Sequence, residues 1–143
     1  MTVKAILESK GNNVVTIEPT ASLAAAVQIL ADRRIGTLVI LGADRRVVGI
    51  VSERDVVRAL AERGERALDE PVGQVMTRKV VTCARGETIA AIMESMTAGK
   101  FRHVPVVEDG QLVGIVSIGD VVKHRLHEIE HESAALRDYI QKA

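Results

Sequence analysis

Two rhythms alternate along this chain. Val14, Val15 and Ile17 form a short β-branched run that predicts a strand. Leu23, Val27 and Leu30 then recur at helical spacing behind Pro19-Thr20-Ala21-Ser22, with Ser22 or Thr20 as the expected cap. Gly36 separates that helix from a buried-looking strand, Thr37 to Leu41, which turns through Gly42-Ala43-Asp44-Arg45 and returns as Val47 to Val51. Another helix starts near Ser52. The same order then begins again: Val80-Val81-Thr82 with Cys83 ending the strand, a helix on Ile89, Met93 and Met96, and strands Val104 to Val107 and Leu112 to Val116. The turn between those two strands, Glu108-Asp109-Gly110, is one residue shorter, and Asp-Gly between apolar runs is a hairpin signal. A last helix starts near Ser117.

The two passes are copies. Val48-Gly49-Ile50-Val51-Ser52-Glu53-Arg54-Asp55-Val56-Val57 returns as Val113-Gly114-Ile115-Val116-Ser117-Ile118-Gly119-Asp120-Val121-Val122. Short helical lead-ins precede both copies, Val3 to Leu7 and Val72 to Met76. A unit of about 65 residues occurring twice is too long and too few for a solenoid. It predicts an α/β (α+β) protein of two pseudo-symmetric repeats, each a small mixed three-stranded sheet with two helices. The expected divisions are 1–63, a charged linker 64–70 ending at Pro71, 71–127, and a helical extension 128–143. A copy of about 60 residues is marginal alone, so the halves are expected to share a core. A pseudo-two-fold axis between them makes two equivalent clefts, and clefts between units favour ligands.

Bulk properties narrow the partners. The 143 residues carry zero formal net charge, against a nucleic-acid partner, whose footprint is a basic face. Phe101 and Tyr139 are the only aromatics, so stacking platforms for single strands are lacking and the core must be aliphatic. The longest apolar run, Ile35 to Leu41, falls far short of the roughly 20 residues that span a bilayer, so no membrane partner is expected. The lone Cys83 and an N-terminus without a charged region followed by an apolar stretch point to the cytoplasm.

Ser52-Glu53-Arg54-Asp55 and Ser117-Ile118-Gly119-Asp120 are the matching polar sites. Each has the form of a capping box, and capping accounts for both Ser and Asp. They also stand where strands end and helices begin, a place that offers free N–H groups to an anion. Ser52 and Ser117 can add a hydroxyl to a phosphate, while Asp55 and Asp120 repel phosphate but can accept from both hydroxyls of a diol. Phosphate plus diol in one cleft describes a ribonucleotide.

The paired Gly-Ile-Val-Ser-x-x-Asp-Val-Val segments, each behind a strand–helix–strand, resemble the cystathionine-β-synthase (CBS) domain repeat, two of which form a Bateman module. The resemblance covers about residues 1–127. It implies a non-catalytic regulatory module that binds adenosine-containing ligands such as AMP, ADP, ATP, NAD or S-adenosylmethionine, with no catalytic cofactor. It assigns the ribose to Asp55 and Asp120, phosphate to Ser52 and Ser117, and the surroundings of adenine to Thr16, Ile17, Thr82, Cys83, Val104 and Pro105. Arg102 and His103 replace Gly36 and Thr37 of the first copy and could clamp a phosphate. Arg54 stands where the second copy has Gly119; pseudo-symmetry could bring Arg54 and Arg102 toward neighbouring clefts, but sequence does not place them. The copies are therefore not expected to bind equally.

Other groups are weaker candidates. Cys83 reads as a small buried apolar residue. His127 and His131 are one helical turn apart but lack the further ligands a metal site needs. No nucleophile elbow or phosphate-binding glycine loop is present. In the last helix Val122, Leu126, Ile129, Leu136 and Ile140, with Ser133 in the vacant slot, form nearly three heptads of an a/d stripe. That predicts a homodimer. The alternatives are a structural dimerisation module without nucleotide, or a regulatory subunit of a separate enzyme such as a nucleotide-metabolism dehydrogenase, read by an effector protein.

Overall fold

A computed structural model describes residues 1–142. The elements run α1 (Val3–Lys10), β1 (Thr16–Ile17), α2 (Leu23–Arg33), β2 (Thr37–Leu41), β3 (Val47–Ser52), α3 (Glu53–Arg63), α4 (Val72–Val75), α5 (Ile89–Gly99), β4 (His103–Glu108), β5 (Gln111–Ser117) and α6 (Ile118–Lys142). β1 lies parallel to β2, and β2 pairs antiparallel with β3. β4 and β5 form the second hairpin, whose turn places Asp109 and Gly110 at φ 51° and 78°. Both are left-handed, as a two-residue hairpin turn requires. The α2 cap is Ser22, whose hydroxyl accepts from the Ala25 N–H.

The second sheet has two strands where three were expected. Its first strand is reduced to a single parallel bridge between Cys83 and Val106. Cys83 donates its N–H to the Pro105 carbonyl and accepts from the Val107 N–H. Extending the ladder to Thr82 would need an N–H at 105 donating to the Val81 carbonyl, and proline has none. At the matching place in the first sheet stands Val39, and Thr16 pairs with it.

The halves do not share one core. They exchange helices. Val3, Ile6 and Leu7 of α1 pack with Cys83, Ile89, Ile92, Met96, Val104, Val106, Val116 and Val121 of the second repeat. Val72 of α4 packs with Leu23, Ala26, Leu38, Ile40, Val51 and Val56 of the first. Each lead-in thus completes the other repeat's core, and neither set of strands and helices is covered by its own lead-in. The crossings require close approach. A Cβ at Gly49 would run into Met76 Sδ and stand 3.0 Å from the Thr77 carbonyl; one at Gly114 would stand 2.7 Å from Leu7 Cδ2.

The segment 64–70 is more than a linker. It winds as a 3-10 turn, Gly64–Asp69, whose Ala67 is fully buried in the first core. The Glu70 carbonyl accepts from the Leu23 N–H at 2.8 Å.

Candidate functional site

The fold brings the N-terminus of α3 against the segments that precede β4. Between them lies a cleft of about 460 Å³. Ser52 caps α3, and the box closes both ways: the Ser52 N–H donates to Asp55 Oδ2 at 2.9 Å, and Ser52 Oγ accepts from the Asp55 N–H. Asp55 is 5% exposed. Its Oδ1 accepts from the Thr77 hydroxyl at 3.2 Å and lies 3.6 Å from Arg58 Nη1. Arg58 stands beyond hydrogen-bond distance, so of the two lone pairs on Oδ1 one has no hydrogen-bond donor among the described residues.

The cleft wall contains Ser52, Arg54, Asp55, Arg102 and His103 of the residues singled out from sequence. Arg54 and Arg102, whose placement the sequence leaves open, line one cleft, because the α3 N-terminus of the first repeat opposes the approach to β4 in the second. Backbone bonds hold these junctions: Glu53 N–H donates to the Gly36 carbonyl, and Ile118 N–H to the Arg102 carbonyl. Lys79, Lys100 and Thr77 also line the cleft and were not anticipated. Lys100 ends α5 in the left-handed conformation, φ 58°, where glycine would be less strained. Arg34 ends α2 in the same way, φ 54°. A basic residue at both matching caps was the sequence signal for this rim.

Arg54, Lys79, Lys100 and Arg102 have no acidic group within 4.0 Å among the described residues. The four cations outnumber the two carboxylates of the wall, Glu53 and Asp55, in a chain whose net charge is zero.

The adenine positions implied by the resemblance lie elsewhere. Ile17, Cys83 and Val104 are core residues, Pro105 is buried, Thr16 is paired into the ladder, and Thr82 is exposed outside the cleft wall. Successive strand residues alternate sides, and these positions are spent on core packing and strand pairing. Ile50, Val80, Val81 and Phe101 supply the apolar wall instead. Burial first, then Glu87 and Glu108, pushes the Cys83 thiol up to about 12, so it stays protonated.

The other matching site is built differently. Ser117 and Asp120 repeat the box, with Ser117 N–H donating to Asp120 Oδ2 at 2.9 Å and Asp120 N–H to Ser117 Oγ at 3.1 Å. The Lys10 ammonium donates to Asp120 Oδ2 at 2.7 Å and to the Ile115 carbonyl at 3.1 Å. Burial opposes ionisation of Asp120, but the Lys10 and Ser117 hydrogen bonds outweigh it and hold the carboxyl below its ordinary range. His103 bridges the repeats, its Nδ1 3.4 Å from the hydroxyl of Thr37, its own counterpart in the first copy. Burial, then Lys10 and, beyond the opposing pull of Asp120, Arg102 lower its pKa.

Three groups of His, Cys, Asp or Glu that could hold a metal ion are not found together among the described residues. No helix among them is long and apolar enough to cross a membrane.

Comparison with known proteins gives one answer. The CBS domain matches residues 3–62 and again 72–127. The chain is 35% identical over 120 residues to a CBS domain-containing protein, CBSX3, mitochondrial, of Arabidopsis thaliana, covering 81% of this chain but 58% of that protein. The crystal structure of the CBS-domain containing protein ATU1752 from Agrobacterium tumefaciens superposes with a TM-score of 0.81 at 48% identity, covering 87% of this chain and 92% of that one. The CBS domain pair of protein MJ0100, solved in complex with 5'-methylthioadenosine and S-adenosyl-L-methionine, gives 0.77 at 28% identity, covering 90% and 98%.

Proposed function

The chain belongs to the CBS-domain family, and on that premise we propose that it is a non-catalytic regulatory module whose Asp55 cleft binds an adenosine-containing nucleotide: AMP, ADP, ATP or NAD. The observation that carries this is the pairing of chemistries in one cavity. Asp55 Oδ1 offers an acceptor to ribose hydroxyls, and Arg54, Lys79, Lys100 and Arg102 stand unpaired around it for phosphate. Ile50, Val80, Val81 and Phe101 give an apolar wall for a base. The MJ0100 pair, bound to two adenosine compounds, supports the adenosine half of the reading. The ligand acts by binding one arrangement of the repeats more tightly than another, and an effector protein responds to the arrangement. Cys83, buried and unpaired, suits a reducing compartment, and we place the protein in the cytoplasm.

A second copy of the chain is the partner proposed for α6. Val122, Leu126, Ile129, Leu136 and Ile140 are 40–63% exposed along one stripe. The flanking charges select a parallel pair. With Leu126, Ser133 and Ile140 at a, Glu132 faces the partner subunit's Arg137, and Arg125, which donates to Glu128 of its own chain at 2.7 Å, stands on the side of the partner subunit's Glu130. An antiparallel pair centred on the stripe sets Lys123 against the partner subunit's Arg137, and Glu130 against its own copy.

Thermal melting with AMP, ADP, ATP and NAD tests the nucleotide reading. A ligand at about 100 times its dissociation constant stabilises by roughly 2.7 kcal/mol, a rise of several degrees for a chain of this size. No shift with any of the four leaves a structural dimerisation module, which the exposed α6 stripe alone would support.

A further inference from the structure

The two repeats are matched in sequence but not in what reaches their acidic residue. α4 is 4 residues long, and the chain leaves it at once: Thr77 bridges to Ile50, and its hydroxyl meets Asp55 beside the open cleft. α1, its counterpart, is 8 residues long. The extra turn carries Lys10 over the second repeat, where its ammonium takes both acceptors that Thr77 satisfies in the first. One is the carbonyl of Ile115, the counterpart of Ile50; the other is the carboxylate of Asp120. The helix behind Lys10 cannot drift, because Val3, Ile6 and Leu7 are 0–4% exposed in the second core. Gly11, at φ 91°, ends the helix immediately after it.

We propose that Lys10 is a built-in partner that occupies the Asp120 carboxylate, so that each chain takes one nucleotide, at Asp55. This rests on the nucleotide reading of the cleft. A ribose diol arriving at Asp120 must displace an ammonium held at 2.7 Å by a full charge and also by a carbonyl, whereas at Asp55 the close donor is the neutral Thr77 hydroxyl and the cation, Arg58, stands off at 3.6 Å on an exposed side chain. The paired ammonium also cannot serve a phosphate without abandoning Asp120. Lys10 therefore decides which of two sequence-matched sites is available.

Isothermal titration of the full chain with ATP, and separately with AMP, should give one site per chain. Lys10→Met keeps the aliphatic stem and should give two, and Lys10→Met/Asp120→Asn should return to one. Two sites in the unaltered protein, or one in a folded Lys10→Met, overturns the proposal. A carbon-13 NMR titration of Asp120 without ligand is the second arm: its pKa should rise in Lys10→Met, and an unchanged value shows that Lys10 does not hold it, which also overturns the proposal. Binding of neither nucleotide to either protein would remove the nucleotide reading and the proposed role together, while a shift in the ligand-free arm would still establish the Lys10–Asp120 pair.

Discussion

Single residues decide how the two cleft junctions behave. Gly49 is needed because the Thr77 carbonyl, itself tied to the Ile50 N–H, leaves no room for a methyl group. Gly49→Ala should cost about 1–3 kcal/mol in urea unfolding, the usual effect of overpacking; an unchanged midpoint would show that the α4 crossing is loose. His103 predicts a pH dependence. Its folded pKa lies below the unfolded value of about 6.5, so the unfolded chain binds the proton more readily. The stabilisation is complete above that value and drains away as pH falls from about 6.5 toward the folded pKa. Removing the titration with His103→Gln should flatten the fall in melting temperature between pH 7 and pH 5; an equally steep fall would place the acid sensitivity elsewhere. In sequence, Ser52, Asp55, Arg102 and His103 stood out by repetition or by breaking it. Thr77 and Lys79 did not, because they follow a lead-in helix, outside the repeated segments; Lys100 repeats the basic cap Arg34, but a linear pattern does not record which loop faces which helix.

Elements were legible where their chemistry is local. The caps at Ser22 and Ser52, the Asp109-Gly110 turn and both hairpins follow from residues within a few positions of one another. The lead-in helices were visible, but their exchange between cores was not, since α1 and α4 contact partners far along the chain. The missing third strand of the second sheet was written in Pro105, yet its effect appears only when Val81 is placed opposite. α6 carries the prediction that belongs to an element. Ser133→Cys should form a disulfide-linked dimer under mild oxidation, because a parallel coil puts equivalent a positions in contact. Cross-linking only when Ile129→Cys is added would make the pair antiparallel, and a monomer by sedimentation would remove it.

The two halves together have the form of a device read through its junction. Exchanged helices mean that neither core can shift without pulling on the other's lead-in, and the cleft sits where α3, the segment after α4 and the approach to β4 meet. A ligand bridging Asp55 and the four cations would therefore join parts of both repeats. The α6 helix starts at the matching junction, its Ile118 N–H bonded to the Arg102 carbonyl, so a change at Arg102 has a short route to the exposed α6 stripe. Co-crystallisation with a saturating adenine nucleotide is the most direct check. The ribose should lie against Asp55 with phosphate among Arg54, Lys79, Lys100 and Arg102. Well-ordered crystals grown at that concentration with only water between those side chains would contradict it.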